Sequence, residues 1–205
     1  MAKNYSEIAF SNASKLLQEQ FGSRVNYARV EQNSLFKGLT ENEIEFIAER
    51  DSFYLATVGE NGYPYIQHRG GPKGFVKVLD NRRLGFIDFK GNMQYVSIGN
   101  LATNDKVALF FMDYKQKTRL KMYAKAEIVD LSNDMELFKT LHLNDYKFRP
   151  ERMMVLNIEA YDWNCPQHIT PRYTVDEIEL ALEPQKEYIR KLETEIKLLS
   201  IKNNE

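Results

Sequence analysis

The chain has little cysteine, little tryptophan and almost no net charge. Cys165 is the single cysteine among 205 residues, so no disulfide can form within one chain, and a reducing compartment is favoured. Lys and Arg number 28 against 29 Asp and Glu, and the net charge of -1 argues against a dedicated nucleic-acid-binding protein. No run approaches the ~20 apolar residues that span a bilayer, and the chain start lacks the apolar stretch of a signal peptide. We therefore expect a cytoplasmic protein that engages neither nucleic acid nor membrane.

Motifs of unaided catalysis are missing as well. The sequence has no G-x-S-x-G, H-E-x-x-H, G-x-G-x-x-G or G-x-x-x-x-G-K-[ST] pattern. Cys165 and His168 have a spacing that could serve a metal, but a structural zinc site needs four ligands, and only His68 and His142 remain as soft candidates. We therefore expect no metal site, and the sequence names no catalytic residue. A bound cofactor that carries its own chemistry is the most economical enzyme hypothesis.

What the sequence does contain is a β-type region between helical patterns. Apolar spacing predicts a helix over 6–20, aperiodicity predicts a loop over 23–38, and Thr40 with Glu43 forms a capping box that opens a second helix. Strands are predicted at 53–58, 63–69, 75–79, 84–88, 107–114, 120–129 and 153–163, and further helices at 92–101 and after Ser132. Short turns between neighbouring strands indicate a mainly β barrel or sandwich with helical decoration.

The C-terminal tail has a helical pattern rich in Glu, Lys, Leu and Ile, unlike the β-type region before it. We therefore divide the chain into a domain over 1–173 and an amphipathic helical tail over 174–205. Thr174 and Glu177 form another capping box, and Pro184 fits the first turn of a helix. Apolar and amide side chains then alternate spacings of four and three, as in a coiled coil: Gln185, Ile189, Leu192, Ile196 and Leu199. Two interpretations stay open, a helix docked on its own barrel and a helix packed on a partner subunit.

A first cluster of candidate ligand contacts joins two strands: Gln67, His68, Arg69, Gly70, Gly71, Pro72, Lys73 and Gly74. Glycines let the backbone approach a ligand closely, and two cations near that opening suit a phosphate. The alternative is a Gly-Pro loop with solvated charges.

A second cluster follows a strand end: Asp88, Phe89, Lys90, Gly91, Asn92, Met93, Gln94 and Tyr95. Its chain is predicted to enter a helix at Asn92, and a helix N-terminus offers free N–H groups and partial positive charge to a phosphate. The alternative is an ordinary Asn cap on a surface helix.

A third cluster, residues 162–172, holds the single tryptophan and the single cysteine. Two prolines stiffen the segment after the last strand, so Gln167 and His168 are predicted to contact a planar ligand, with Trp163 nearby. Cys165 is predicted to pack as a small hydrophobe and not to act as a catalytic thiol. The alternative is a segment that only covers the barrel end.

At these clusters the sequence resembles the pyridoxamine 5'-phosphate oxidase-related, FMN-binding split-barrel family. The similar stretches are FIAERDSFYLATVGENGYPYIQHRGGPKGFVKVLD, LGFIDFKGNMQYVSIGNLATNDKVALFFMDY and DWNCPQHITPRY. The resemblance implies a six-stranded antiparallel split barrel that dimerises and holds FMN at each subunit interface. It implies phosphate contacts at Arg69, Lys73, Lys90, Asn92 and Gln94, the positions that the charge argument also selects. Gln67, His68, Gly70, Asp88 and Phe89 complete the candidate cofactor-binding set with Gln167 and His168.

The sequence also departs from the oxidase of that family. The helix start of the oxidase reads Ser-Arg-Lys, whereas this chain has Asn92, Met93 and Gln94, and so lacks two cations there. The Arg-x-His motif near the C-terminus of the oxidase is absent, so pyridoxamine phosphate is not the expected substrate. The resemblance favours a homodimeric FMN-dependent oxidoreductase that takes electrons from NADH or NADPH. A flavin carrier or sensor without turnover, and a split barrel that binds haem or a deazaflavin, are the alternatives.

Overall fold

The computed structural model describes residues 4–33, 35–164 and 166–202. Its elements in chain order are α1 (Tyr5–Ala9), α2 (Asn12–Gln20), α3 (Arg24–Asn33), α4 (Glu41–Ala48), β1 (Ser52–Val58), β2 (Pro64–Gly70), β3 (Lys77–Asp80), β4 (Arg83–Phe89), α5 (Val96–Thr103), β5 (Lys106–Asp113), β6 (Thr118–Val129), α6 (Met135–Leu141), β7 (Pro150–Asn164) and α7 (Val175–Lys202). Two compact units result. The first comprises residues up to 113 and 118–167, and the second comprises 114–117 and the chain from 168 onward. The predicted division at residue 173 stays a prediction.

The strands form one open antiparallel sheet in the order β2-β1-β5-β6-β7-β4-β3. The predicted fold class, mainly antiparallel β with helices at both ends, is confirmed. The resemblance implied six strands, and the part of the chain that the structure describes has seven. The shortest of them is β3, four residues that pair with β4 at the sheet edge.

The core lies on the concave face of this sheet. Phe53 on β1 is 1% exposed and stacks on Phe111 of β5 at a centroid distance of 4.9 Å, while its ring edge meets Phe86 of β4 at 5.5 Å. Since alternate residues of a strand share a face, Phe53 and Leu55 point inward and Tyr54 points outward. Apolar contacts between β1, β4 and β5 show that the sheet curls until its two halves pack on each other.

The N-terminal helices correct two predictions. The predicted helix over 6–20 is two helices, since Ser11 accepts a hydrogen bond from the Ser14 amide at 3.2 Å and starts α2 anew. The predicted loop over 23–38 contains α3. Asn4 stabilises α3 although it lies 26 residues before Val30 in the sequence. Its side-chain amide donates hydrogen bonds to the carbonyl oxygens of Val30 at 3.2 Å and Glu31 at 2.6 Å.

Helix α4 begins at the predicted capping box and is tied to β7 by Glu43. This buried carboxylate accepts hydrogen bonds from the Thr40 amide at 2.9 Å and from the Trp163 indole nitrogen at 2.7 Å. Burial opposes ionisation, but hydrogen bonds from Thr40, Trp163 and Tyr161 outweigh it and lower the pKa of the Glu43 carboxyl. Burial and the neighbouring Glu43 raise the pKa of Tyr161 to about 12.

Two other helix starts differ from the sequence prediction. Helix α5 begins at Val96 and not at Asn92, because Tyr95 immediately before it has a left-handed backbone, with φ of 52°. Helix α6 is capped by Asp134 and not by Ser132, since the Asp134 carboxylate accepts from the Leu137 amide at 2.8 Å.

The second unit consists mainly of α7. Its capping box is confirmed, as the Thr174 amide donates to Glu177 at 2.9 Å and the Glu177 amide donates back to the Thr174 hydroxyl at 3.3 Å. Pro184 lies inside the helix, so its predicted place in the first turn is wrong. Within the described residues, no helix is both long enough and apolar enough to cross a membrane.

Candidate functional site

The candidate site lies where β2 and β4 meet. Gln67 and Arg69 share the inward face of β2, because they are two residues apart in one strand. Arg69 forms an ion pair with Asp88 near the end of β4. Two adjoining cavities open beside this pair, and both are lined by Gln67, Arg69, Asp88, Phe89 and Gly91.

Four charged side chains and one phenol connect into a single network at this point. Asp88 is 4% exposed and bonds Arg69 through one carboxylate oxygen and Arg152 through the other, at 3.2 Å. Arg152 also pairs with Glu151 at 3.0 Å, and the Tyr95 hydroxyl donates to Glu151 at 2.7 Å. Burial raises the pKa of the Asp88 carboxyl, and the positive charges of Arg69 and Arg152 act in the opposite direction. The network holds both guanidinium groups in place at the cavity wall.

One donor in this network has no partner among the described residues. Nε of Arg69 is buried and makes no hydrogen bond there, although the guanidinium is engaged with Asp88. An unsatisfied buried donor costs about 1–3 kcal/mol, so such atoms commonly mark the place of a water, an ion or a ligand. Lys90, exposed at the edge of the second cavity, forms no ion pair within the described part of the chain. Arg69 and Lys90 are therefore available to an anionic group.

The loop between β4 and α5 completes the wall of the first cavity. Met93 and Tyr95 both have left-handed backbones, with φ of 59° and 52°. Such conformations are uncommon for residues other than glycine, and they cluster at ligand-binding segments. At the start of α5, the buried Ser97 hydroxyl donates to the Gln67 side chain at 2.7 Å. This bond fixes the N-terminal turn of α5 against β2, beside Arg69.

The structure brings most of the sequence-predicted residues together. The cavities are lined by Gln67, His68, Arg69, Gly70, Asp88, Phe89, Lys90, Asn92 and Gln94. Lys73 lies outside both linings, with a side chain that is 67% exposed and 3.5 Å from Glu49. The predicted helix start at Asn92 is wrong, so Asn92 and Gln94 contribute from a loop and not from the first turn of α5.

The third cluster lies elsewhere along β7. Trp163 packs edge-on against Phe46 of α4 at 4.8 Å and is eleven residues from Arg152 in the same strand. At about 3.3 Å per residue, the two are roughly 35 Å apart along β7. Gln167 follows Trp163 and is exposed, and His168 is exposed in the second unit, so their contact with a ligand stays a prediction. Cys165 lies outside the described residues, and so do its predicted packing and chemistry.

Sequence reasoning missed several residues at this site. Arg152 and Glu151 reach it because β7 pairs with β4, which places Arg152 opposite Asp88. No local motif reveals that pairing. Tyr95 ends the second cluster but is not among its predicted cofactor contacts, and Ser97 lies two residues further on. Both line the first cavity because the helix starts four residues later than predicted. Within the described residues, no group of three or more His, Cys, Asp or Glu side chains could hold a metal ion.

Comparison with known proteins identifies one family. The profile of the pyridoxamine 5'-phosphate oxidase family matches residues 39–162, more than half of the chain and the whole of the site. No curated protein matches the chain.

Several solved structures are similar to this chain. A HupZ variant from Group A Streptococcus is 16% identical with a TM-score of 0.50, and the match covers 61% of this chain and 98% of that chain. A protein from Lactobacillus delbrueckii, described as a putative pyridoxamine 5'-phosphate oxidase, is 26% identical with a TM-score of 0.47, covering 61% and 93%. An FMN-binding protein from Syntrophomonas wolfei is 15% identical with a TM-score of 0.44, covering 72% and 97%.

Proposed function

Because this chain belongs to the pyridoxamine 5'-phosphate oxidase family, whose members bind flavin, we propose that it is an FMN-binding flavoprotein. The observation that carries the proposal is the buried Nε of Arg69 at the junction of β2 and β4, which has no hydrogen-bond partner among the residues that the structure describes. A phosphate oxygen would satisfy that donor, and a charge-assisted hydrogen bond of this kind stabilises by about 1.5–3 kcal/mol.

Arg69 and Lys90 would hold the phosphate, with polar support from the loop before α5. Among the charged groups at the site, Arg69, Arg152 and Lys90 face Asp88 and Glu151, which leaves a surplus of one positive charge. That surplus is small for a phosphate dianion, so the N–H groups and partial positive charge at the start of α5 are needed as well. Asn92 and Gln94 add neutral donors in the same wall. Lys73 is a weaker candidate for a phosphate contact, because its exposed side chain lines neither cavity.

Bound FMN would supply two-electron redox chemistry, with NADH or NADPH as the proposed electron donor. The chain itself would anchor and orient that cofactor. The Ser97–Gln67 hydrogen bond occupies the side-chain oxygen of Gln67 and keeps its amide oriented at the cavity, where the side-chain N–H groups can donate to a ligand. Pyridoxamine phosphate is not proposed as the substrate, because the residues that recognise it in the oxidase have no counterpart in this sequence.

We propose further that the protein is a homodimer through the outward face of β1 and β2. Tyr54, Val58 and Ile66 on that face are 39%, 36% and 65% exposed. The equivalent face of β6 is covered by α1, where Tyr5 stacks on Tyr123 at 5.0 Å. A second copy would bury the remaining apolar strands. Since β7 carries Gln167 away from Arg152 of its own subunit, we assign the predicted contact of Gln167 and His168 to a flavin held by the other subunit.

The absorption spectrum of the purified protein, with mass spectrometry of the released ligand, tests the proposal. Two flavin bands and the mass of FMN are expected. A Soret band or a deazaflavin mass would replace FMN with one of the alternatives. Protein purified without ligand should bind FMN more tightly than riboflavin, since the phosphate is the group held. Steady oxidation of NADH or NADPH by the holoprotein separates an enzyme from a flavin carrier.

A further inference from the structure

Helix α7 carries an apolar seam of exposed side chains. Along the helix, seven positions alternate spacings of four and three residues: Ile178, Leu182, Gln185, Ile189, Leu192, Ile196 and Leu199. Six of the seven are apolar, and Ile189, Ile196 and Leu199 are 53%, 62% and 60% exposed. Ile178 and Leu182 therefore extend the seam at its N-terminal end beyond the predicted stretch from Gln185 to Leu199. We call these seven residues the α7 seam.

We propose that the α7 seam packs against the α7 seam of a second copy, as a parallel, in-register two-stranded coiled coil. In heptad terms, Leu182, Ile189 and Ile196 occupy the a positions, and Ile178, Gln185, Leu192 and Leu199 occupy the d positions. β-Branched residues at a with leucine at d favour two parallel strands. The two isoleucines at a and the two leucines at d fit that preference.

Gln185 decides between the two orientations. In a parallel, in-register pair it meets the Gln185 of the second copy, and the two amides can donate and accept reciprocally. In the antiparallel pair that aligns a with d, it would face Ile196, and a buried amide without a partner costs about 1–3 kcal/mol. A single polar residue at an a position of a coiled coil specifies its register and oligomer state, and we assign a comparable role to Gln185 at its d position.

The surface around the seam is compatible with a second copy and not with a membrane. Lys191 and Glu187 pair at 3.2 Å on the side opposite the seam, and Pro184 also lies outside it, so its ring does not enter the interface. From residue 175 to 202 the helix has seven carboxylates and five cations. A helix that lies on an anionic membrane is typically rich in Lys and Arg on its polar face, which this composition contradicts.

Disulfide trapping in the full-length protein tests the proposal. In a Cys165→Ser background, Leu199→Cys places a thiol at a d position, and Lys197→Cys places the control thiol on the outer side of the same turn. A disulfide requires Cβ atoms about 3.5–4.5 Å apart. Under mild oxidation, Leu199→Cys should form covalent dimers at least about tenfold faster than Lys197→Cys, because only an in-register seam holds the two thiols together. Equal rates would overturn the proposal, and so would a monomeric mass by light scattering.

A mixing experiment tests the orientation. In the antiparallel arrangement, position 199 faces position 182 of the other helix, and the two Leu199 positions lie roughly 25 Å apart. Leu182→Cys and Leu199→Cys proteins, mixed and oxidised, should therefore give only the two homodimeric products. A dominant mixed product would overturn the parallel assignment. The unfolding temperature of each variant, compared with that of the Cys165→Ser background, excludes misfolding as the reason for a missing cross-link.

Discussion

Arg69 and Asp88 form an ion pair between strands that stand far apart in the sheet order. Arg69 is on β2, an edge strand, and Asp88 is on β4, next to the opposite edge. The pair can form only because the open sheet curls until β2 approaches β4, and the two cavities lie beside this junction. Arg152 bonds the other oxygen of Asp88 and extends the junction to β7.

Replacement of Asp88 by Asn should destabilise the protein by about 3 kcal/mol, because the largely buried guanidinium of Arg69 loses its counter-charge and Arg152 keeps only Glu151. Asp80→Asn is the matched control. It breaks the Asp80–Arg83 pair, whose side chains are 41% and 52% exposed, and should cost less than about 1 kcal/mol. Chemical denaturation of the cofactor-free proteins measures the loss of unfolding free energy in the Asp88→Asn and Asp80→Asn variants. Similar losses for the two variants would contradict a structural role for the junction.

Replacement of Arg69 by Ala should weaken FMN about ten- to a hundredfold, since one charge-assisted hydrogen bond to phosphate is lost. Riboflavin affinity should change little, because riboflavin has no phosphate. Lys73→Ala, outside both cavity linings, is the control and should have the smaller effect. Flavin fluorescence titrations give the affinities, and Arg69→Lys tests the same point with the charge retained. An unchanged FMN affinity in both Arg69 variants would remove Arg69 from the site.

The sequence is sufficient to predict the residues of the site that belong to local motifs. Gln67, Arg69 and Asp88 are recognisable because strand ends, glycines and cations occur together within short segments. Arg152 is not recognisable, because its role depends on the register of β7 against β4 over a separation of 64 residues. Periodicity predicts that a strand exists, but it does not predict which strand pairs with it.

The helical errors have a similar physical origin. Helix α3 has weak amphipathicity, with Val25 64% exposed, and the distant Asn4 side chain supplies hydrogen bonds that its own sequence does not reveal. Asn92 is a favoured cap and predicts the start of α5 there, whereas the left-handed backbones of Met93 and Tyr95 delay the helix to Val96. A tertiary contact overrides the local preference at α3, and a backbone conformation that the sequence does not reveal overrides it before α5.

Glu43 should make stability depend on pH in the acidic range. Its pKa is lowered in the folded protein from an ordinary value of 4.5, so its contribution is complete above that pH and is lost as pH falls through the lower folded pKa. Glu43→Gln should cost about 1–3 kcal/mol near neutral pH and progressively less in acid. The exposed Glu41→Gln is the control. The stability of both variants is measured by unfolding followed through the fluorescence of Trp163. This residue is the single tryptophan of the sequence and a direct hydrogen-bond partner of Glu43. A pH-independent difference between wild type and Glu43→Gln would contradict the assignment.

The outward face of β1 and β2 should be required for dimerisation. Ile66→Glu places a charge in the centre of that face, and its burial against a second copy would carry a large desolvation cost. The variant should therefore lose flavin affinity, if the site is completed by the second subunit, and it should dissociate at a higher protein concentration than the wild type, because only the α7 seam would still join the two copies. Leu16→Glu on α2 is the matched control, since both side chains are 65% exposed in one chain. Light scattering measures the oligomeric state of the two variants, and flavin titration measures their flavin affinity. Dissociation by Leu16→Glu and not by Ile66→Glu would move the interface to the N-terminal helices, and an Ile66→Glu dimer with unchanged flavin affinity would exclude this face.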